Sequence, residues 1–298
     1  MRHVQLRAFH NVAIHGGFSK AADALSLTQP AISDQVSRLE EHYDVILFNR
    51  HKRQVTLTEF GKSLLEITRK LFEIERQASD LLLESQALRS GTLRIVADSP
   101  RHLLHIFGAF RKKYPGITVS LHSANSKEVV AKLFNYEADI GVLGEIPANR
   151  EFSTVKLNST PITAFAAKNF PLDNKTHQTI AKLAEMPLVL REKGSLTRRI
   201  LENMAKKQGI KLQATIEAEG REAVREIVAS GAGIGFVSKA EFGHDDRLVE
   251  IPLTGDIMLM DEALICLKER SNAKLIKVFM AMAETHSTAD EAQNEINH

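Results

Sequence analysis

Along the first 58 residues the apolar positions fall at helical spacing. Leu6, Phe9, Val12 and Ala13 recur on one face and the run closes at Gly16-Gly17, which predicts a first helix. Ser19 offers a cap for a second helix over KAADAL, whose alanines permit close packing. Ser26-Leu27 make the turn, Thr28 offers the next cap, and Pro30 sits in the first turn of a third helix, where a missing N–H costs little. Ile32, Val36 and Leu39 form the buried stripe of that helix. Gln29, Ser33, Gln35, Ser37 and Arg38 are left on the polar face. VILFNR and QVTLT then alternate as two short strands around His51–Arg53.

The next stretch, Glu59 to Ser90, carries the most regular pattern. Leu64, Ile67, Leu71, Ile74, Ala78, Leu81, Ser85 and Leu88 follow alternating steps of three and four, and only Ser85 is polar. This heptad seam predicts a helix of about 30 residues, and so narrow a stripe favours a dimeric coiled coil over packing within its own domain. After Gly91 strands alternate with helices. Strands are expected at Leu93–Asp98, Ile117–His122, Ala138–Leu143, Ile162–Ala167, Pro187–Leu190, Leu212–Ile216 and Ile234–Val237, with helices such as His102–Tyr114, Lys127–Asn135, Thr197–Gln208 and Glu222–Ser230 between them. That order implies an α/β body with a largely parallel sheet and ligands at strand C-terminal ends. The tail from Ser287 is polar and is expected to fray.

Composition narrows the class. The chain has 298 residues, one cysteine (Cys266) and a net charge of +2. A disulfide framework and a multi-cysteine zinc site are excluded. No apolar run approaches the roughly 20 residues of a membrane span, and the N-terminus lacks a secretory pattern, so a cytoplasmic protein with no membrane partner is expected. The low total charge hides a local excess: residues 1–58 hold seven Lys/Arg against five acids, with RHKR gathered at Arg50–Arg53.

A helix, a turn and a second helix presenting hydrogen-bonding side chains is the logic of a DNA-reading helix-turn-helix. Gln reads base edges, Ser and Thr serve bases or phosphates, and Arg50, Lys52 and Arg53 would form a wing against the backbone. A solvated helix face beside a charged turn is the plain alternative on composition alone. The candidate DNA-contacting residues are Ser19, Thr28, Gln29, Pro30, Ser33, Gln35, Arg38, Arg50, Lys52, Arg53 and Thr58. Two such heads joined by a seam helix imply two-fold symmetry and an inverted-repeat operator in double-stranded DNA.

These residues also carry a specific match. Phe9, Phe18, Ala21-Ala22, Leu25, Gln29-Pro30, Ser33, Gln35, Leu39-Glu40, Leu47-Phe48, Arg50, Arg53, Leu57-Thr58 and Gly61 stand as in the LysR-type transcriptional regulators, which the chain resembles throughout. FRKKYPGITVSL, ADIGVL and VASGAGIGFVS fall where that family has its strand and crossover signatures. The resemblance implies a winged helix-turn-helix (1–58), a linker helix that dimerises (59–90) and a two-lobed effector domain like periplasmic binding proteins (91–298). It also implies a homodimer, and a homotetramer as the family generally is. Two positions depart: Asp34, where many members have a basic or small residue and which would repel a phosphate, and Phe60, where alanine is common. Within the family, REKGSLTRRILE, EGREAVREIV and VSKAEFG are similar to regulators associated with 2-aminoethylphosphonate catabolism.

Three segments would converge between the lobes of such a body: Asp98-Ser99-Pro100-Arg101, Ala124-Asn125-Ser126, and Arg191 to Arg198 with Gly194, Ser195 and Thr197. Helix N-termini there suit an anion. Arg191, Arg198, Arg101 or Arg221 could clamp a phosphonate or carboxylate, and Asp98, Glu145, Glu219 or Glu222 could accept from an ammonium. Simple helix capping by Ser and Asn, and pairing of Arg221 with a neighbouring Glu, are the plain alternatives.

His102 and His105 lack further ligands for a metal, GAGIGF lies too late for a dinucleotide site, Cys266 sits in an apolar run, and no nucleophile–base pair stands out. No enzymatic activity, cofactor or metal is expected. A small-molecule binding protein or enzyme with a helical extension, or a LysR-type regulator of a carboxylate or amino-acid pathway, are the rival readings.

Overall fold

The computed structural model describes residues 2–51, 54–82, 88–99, 101–146, 150–172 and 177–296, in two compact units, Met1–Leu83 and Glu84–His298. The first unit contains α1 (His3–His15), α2 (Phe18–Leu25), α3 (Gln29–Tyr43), the hairpin β1 (Phe48–His51) and β2 (Gln54–Leu57), and α4 (Glu59–Leu82). α1 closes on Gly16 at φ +70°, the left-handed conformation that glycine adopts without strain. α2 starts one residue before the expected Ser19 cap. Gly17 is its N-cap and Ser19 lies exposed in the first turn, because Phe18 enters the helix and packs edge-on against Phe48. α3 is capped by Thr28, whose hydroxyl accepts from the Ala31 N–H at 3.4 Å, with proline in the first turn as expected.

Leu6, Phe9, Val12, Ala22, Ile32, Val36, Leu39, Leu47, Phe48 and Leu65 form one core under these helices. Phe9 and Val36 are fully buried, and truncating a residue like Phe9 costs about 3–5 kcal/mol. Gly61 is required where it stands: a Cβ there would run into the Leu47 carbonyl.

α4 faces two ways. Leu65 and Thr68 turn into the head, whereas Ile67, Ile74 and Leu81 of the seam are 64%, 64% and 71% exposed. The helix is shorter than the expected stretch to Ser90. It is described to Leu82, residues 83–87 with Ser85 lie outside the described residues, and Leu88 stands in a turn. Beside Leu88 the Arg89 carbonyl runs so close to Gly116 that no side chain would fit between them.

The second unit contains β3 (Gly91–Ala97), α5 (Leu104–Lys113), β4 (Ile117–Ser123), α6 (Ser126–Phe134), β5 (Ile140–Leu143), β6 (Phe152–Ala167), α7 (Ile180–Leu183), β7 (Leu188–Arg191), α8 (Leu196–Lys207), β8 (Ala214–Ala218), α9 (Arg221–Ala229), β9 (Gly235–Ser238), α10 (Lys239–Phe242), β10 (Leu248–Ile251), β11 (Leu259–Leu267) and α11 (Lys274–Ile296). Strand order is β10-β6-β11-β5-β3-β4, β9 also pairs with β6, and β7-β8 form a separate parallel pair.

The expected largely parallel sheet is corrected here. Among the described strands β4-β3-β5 and β7-β8 pair parallel, while β6 runs antiparallel to β9, β10 and β11. The reason is that β6, with 16 residues, runs on through two lobes and β11 returns beside it. Leu93, Ile95, Phe110, Ile140, Leu264 and Phe279 fill the first lobe, and Ile162, Ala166, Leu190, Leu201, Ile234 and Ile251 fill the second. In the first, Asp139 accepts from the Arg94 N–H at 2.7 Å and pairs with the guanidiniums of Arg94 and Arg270. Burial opposes its charge, and these hydrogen bonds outweigh that and hold its carboxyl below the usual range. The tail also departs from expectation: α11 continues to Ile296, its ADEAQNE run being rich in helix formers and free of glycine and proline.

Candidate effector cleft and DNA-reading helix

Four strand-to-helix turns of the second unit meet between its lobes. β3 delivers Asp98 and Ser99, β4 delivers Asn125, β7 delivers Arg191 and Glu192, and the β8–α9 turn delivers Glu219, Gly220 and Arg221. With Arg101 they line a cleft of ≈ 800 Å³. This brings together Asp98, Ser99, Arg101, Asn125, Arg191, Glu219 and Arg221; Pro100 lies outside the described residues.

The cleft is built around buried charge. Arg191 donates from Nε and Nη2 to the two oxygens of Glu192, each at 2.8 Å, and the Gly220 N–H donates to the same carboxylate at 3.1 Å. Burial works against the Arg191 charge, but the Glu192 hydrogen bonds and the nearby Asp98 raise its pKa. Burial likewise opposes the Glu192 charge, and Arg191 holds that carboxyl below its ordinary range. Arg221 donates from Nη1 to the Asp98 backbone carbonyl at 2.9 Å, and its Nε stands 2.7 Å from Glu241. Asp98 therefore faces two guanidiniums from the opposite lobe. Its Oδ2 accepts from Ser126 Oγ at 3.1 Å, while Oδ1 lies 3.7 Å from Arg191 and 3.5 Å from Arg221 without a hydrogen bond. Arg191 Nη1 is also buried without a hydrogen-bond partner.

Asn125 lines the cleft while capping α6 in a reciprocal box with Glu128. Other residues expected at this site stand elsewhere. Ser126, Gly194, Ser195 and Arg198 line a second hollow of ≈ 490 Å³ with Lys127, Lys193 and Glu145. Arg198 is engaged there by Glu202 at 2.7 Å, Glu217 at 2.6 Å and the Arg191 carbonyl at 2.7 Å. Thr197 is buried against the Met260 sulfur. Glu145, considered for an ammonium, pairs with Arg199 in the same hollow. Glu241 was missed, since a lone acid in KAEF carries no signal in one sequence. Glu192 could have been suspected from its place beside Arg191.

In the first unit, Gln29, Pro30 and Arg38 are exposed on α3, and Ser33 and Gln35 are half-buried. Asp34, the expected repulsive position, is paired: Arg38 Nε donates to its Oδ1 at 2.9 Å. Thr58 is committed to the fold, donating to the Ile46 carbonyl at 2.7 Å and accepting from the Gly61 N–H at 2.9 Å. Arg50 pairs in the hairpin with Val55; Lys52 and Arg53 lie outside the described residues. His10 binds α1 to α4 through Nδ1 and Thr68 Oγ1 at 3.0 Å. Burial, with Arg69 nearby, lowers its pKa to about 4.

Two family models match the chain. Residues 3–62 match the bacterial regulatory helix-turn-helix protein of the lysR family, and residues 86–288 match the LysR substrate binding domain. The chain belongs to the LysR family. Among curated relatives of this LysR-type protein, the transcriptional activator CmpR of Synechocystis sp. is 30% identical over 236 residues, which is 78% of each chain. The RuBisCO operon transcriptional regulator of Allochromatium vinosum is 31% identical over 236 residues, again 78% of each. A solved structure of a full-length OxyR variant from Pseudomonas aeruginosa shares the fold at TM-score 0.76 and 20% identity, covering 95% of this chain and 94% of that one. The LysR-type chain is thus a DNA-binding transcriptional regulator with a two-lobed effector-binding domain. Among the described residues no helix is long and apolar enough to cross a membrane.

Proposed function

We propose that this regulator binds a small anionic or zwitterionic effector in the ≈ 800 Å³ cleft between its lobes, with 2-aminoethylphosphonate the leading candidate. One observation carries the reading: Arg191 and Asp98 line the same cleft, and Arg191 Nη1 and Asp98 Oδ1 are both buried there without a hydrogen bond, so acceptor and donor needs are both left unmet at one place. Ser99, Arg101, Asn125, Glu219 and Arg221 supply further polar groups, while Ser126, Gly194, Ser195, Thr197 and Arg198 support the surrounding turns. On DNA, α3 would enter the major groove with Thr28, Gln29, Pro30, Ser33, Gln35 and Arg38, and Ser19, Arg50, Lys52 and Arg53 would grip the backbone. The α4 seam would pair two chains over an inverted repeat, and such dimers would pair again as tetramers. Effector binding would act through differential affinity for two lobe arrangements.

The relatives support a second reading. Identity of 31% to a RuBisCO operon regulator favours control of a carbon-fixation operon and an effector from that metabolism. Calorimetric titration of the full chain decides: heat with 2-aminoethylphosphonate below millimolar supports the first, and none at millimolar ligand removes it.

A further inference from the structure

The charges buried in the cleft do not balance. Two guanidiniums, Arg191 and Arg221, meet three carboxylates, Asp98, Glu192 and Glu241. Arg191 is chelated by Glu192 at 2.8 Å, and Arg221 contacts Glu241 at 2.7 Å, so each guanidinium already has its own carboxylate. Asp98 is the remainder. Its side chain is 2% exposed, its Oδ1 lies 3.7 Å from Arg191 and 3.5 Å from Arg221 as an ion pair shared with both, and that oxygen receives no hydrogen bond. A buried carboxylate oxygen without a hydrogen bond is costly, so the missing partner is a donor, and the excess of three carboxylates over two guanidiniums favours a donor that carries positive charge. The rim does not supply it: Glu128, Glu219 and Glu222 outnumber Arg101, and Arg225 pairs with Asp245 at 3.1 Å.

We infer that Asp98 is the specificity-determining residue of the cleft, selecting ligands that carry an ammonium group and discriminating against plain anions of the same shape. The inference rests on the cleft being the effector site. The ammonium would donate to Asp98 Oδ1, and the ligand's anionic end would accept from Arg191 Nη1, so the ligand would bridge the lobe that holds Asp98 to the lobe that holds Arg191. Asp98→Asn keeps the size and the acceptor for Ser126 while removing the charge.

The test is calorimetry on the full-length protein with two matched pairs, 2-aminoethylphosphonate against ethylphosphonate and β-alanine against propionate. The wild type is expected to bind the amine-bearing member of at least one pair tenfold or more tighter. In Asp98→Asn that preference should fall to about threefold or less, with binding of the plain anion unchanged or improved. If only the β-alanine pair shows the preference, the phosphonate reading fails and the role of Asp98 stands. Ethylphosphonate binding the wild type as well as its amine, with propionate likewise matching β-alanine, keeps a phosphonate effector and overturns the selection by Asp98. A preference that survives in Asp98→Asn overturns it, as does the absence of binding in both pairs. The wild-type comparison stands by itself if the variant does not fold.

Discussion

Replacing Ile74 by Asp tests the seam helix. In the single chain Ile74 is 64% exposed at the middle of a stripe that includes Ile67 and Leu81. Burying a whole Ile side chain is worth about 1.5–3 kcal/mol, so covering the exposed share contributes about 1–2 kcal/mol per copy. A symmetric dimer counts it twice, about 2–4 kcal/mol, which is roughly a 30- to 1000-fold weaker dimer at about 1.4 kcal/mol per decade. The Asp charge adds to this. Sedimentation equilibrium of the full chain reads the change, and a circular-dichroism melt checks that the head, which Ile74 does not enter, stays folded. Dissociation within threefold of wild type would refute the seam as the dimer contact.

Three further outcomes follow from the packing. Gly61→Ala forces a methyl against the Leu47 carbonyl and should destabilise the first unit by about 1–3 kcal/mol, seen as a lower urea midpoint; an unchanged midpoint contradicts the contact. Asp139→Asn leaves Arg94 and Arg270 without their shared carboxylate and should cost about 3–5 kcal/mol in chemical unfolding of the second unit; a loss below 1 kcal/mol rejects the pairing. His10 resists protonation to about 4 in the fold, against 6.5 unfolded. The unfolded chain thus binds more protons between those values, so stability is full above pH 6.5 and declines toward pH 4, by about 1–2 kcal/mol given partial exposure. His10→Gln should flatten that slope in urea unfolding at pH 7.5 and pH 5; an equal slope rejects the assignment.

How much of this was legible along the chain depended on range. The head was legible because its signals are local: Gly16 closing α1, Thr28 and Pro30 opening α3, and the stripe Ile32, Val36 and Leu39. The seam was legible for the same reason, since its period lies on one helix. Sheet direction was not, because β6 and β11 take partners far away in sequence, and the polar first half of β6 does not alternate strongly. The cleft was half legible. Its turns followed from strand ends, but that Arg198 would be consumed by Glu202 and Glu217, or that Glu241 would come to Arg221, is set by tertiary approach alone.

Effector control of DNA binding is tested most directly by a nuclease footprint of the full-length protein on the DNA upstream of its own gene, with and without 2-aminoethylphosphonate, for wild type and Arg191→Ala. An inverted-repeat footprint is expected for both proteins, with a ligand-dependent change in its extent or spacing for wild type alone. A wild-type footprint indifferent to the ligand, or a change that persists in Arg191→Ala, would contradict it.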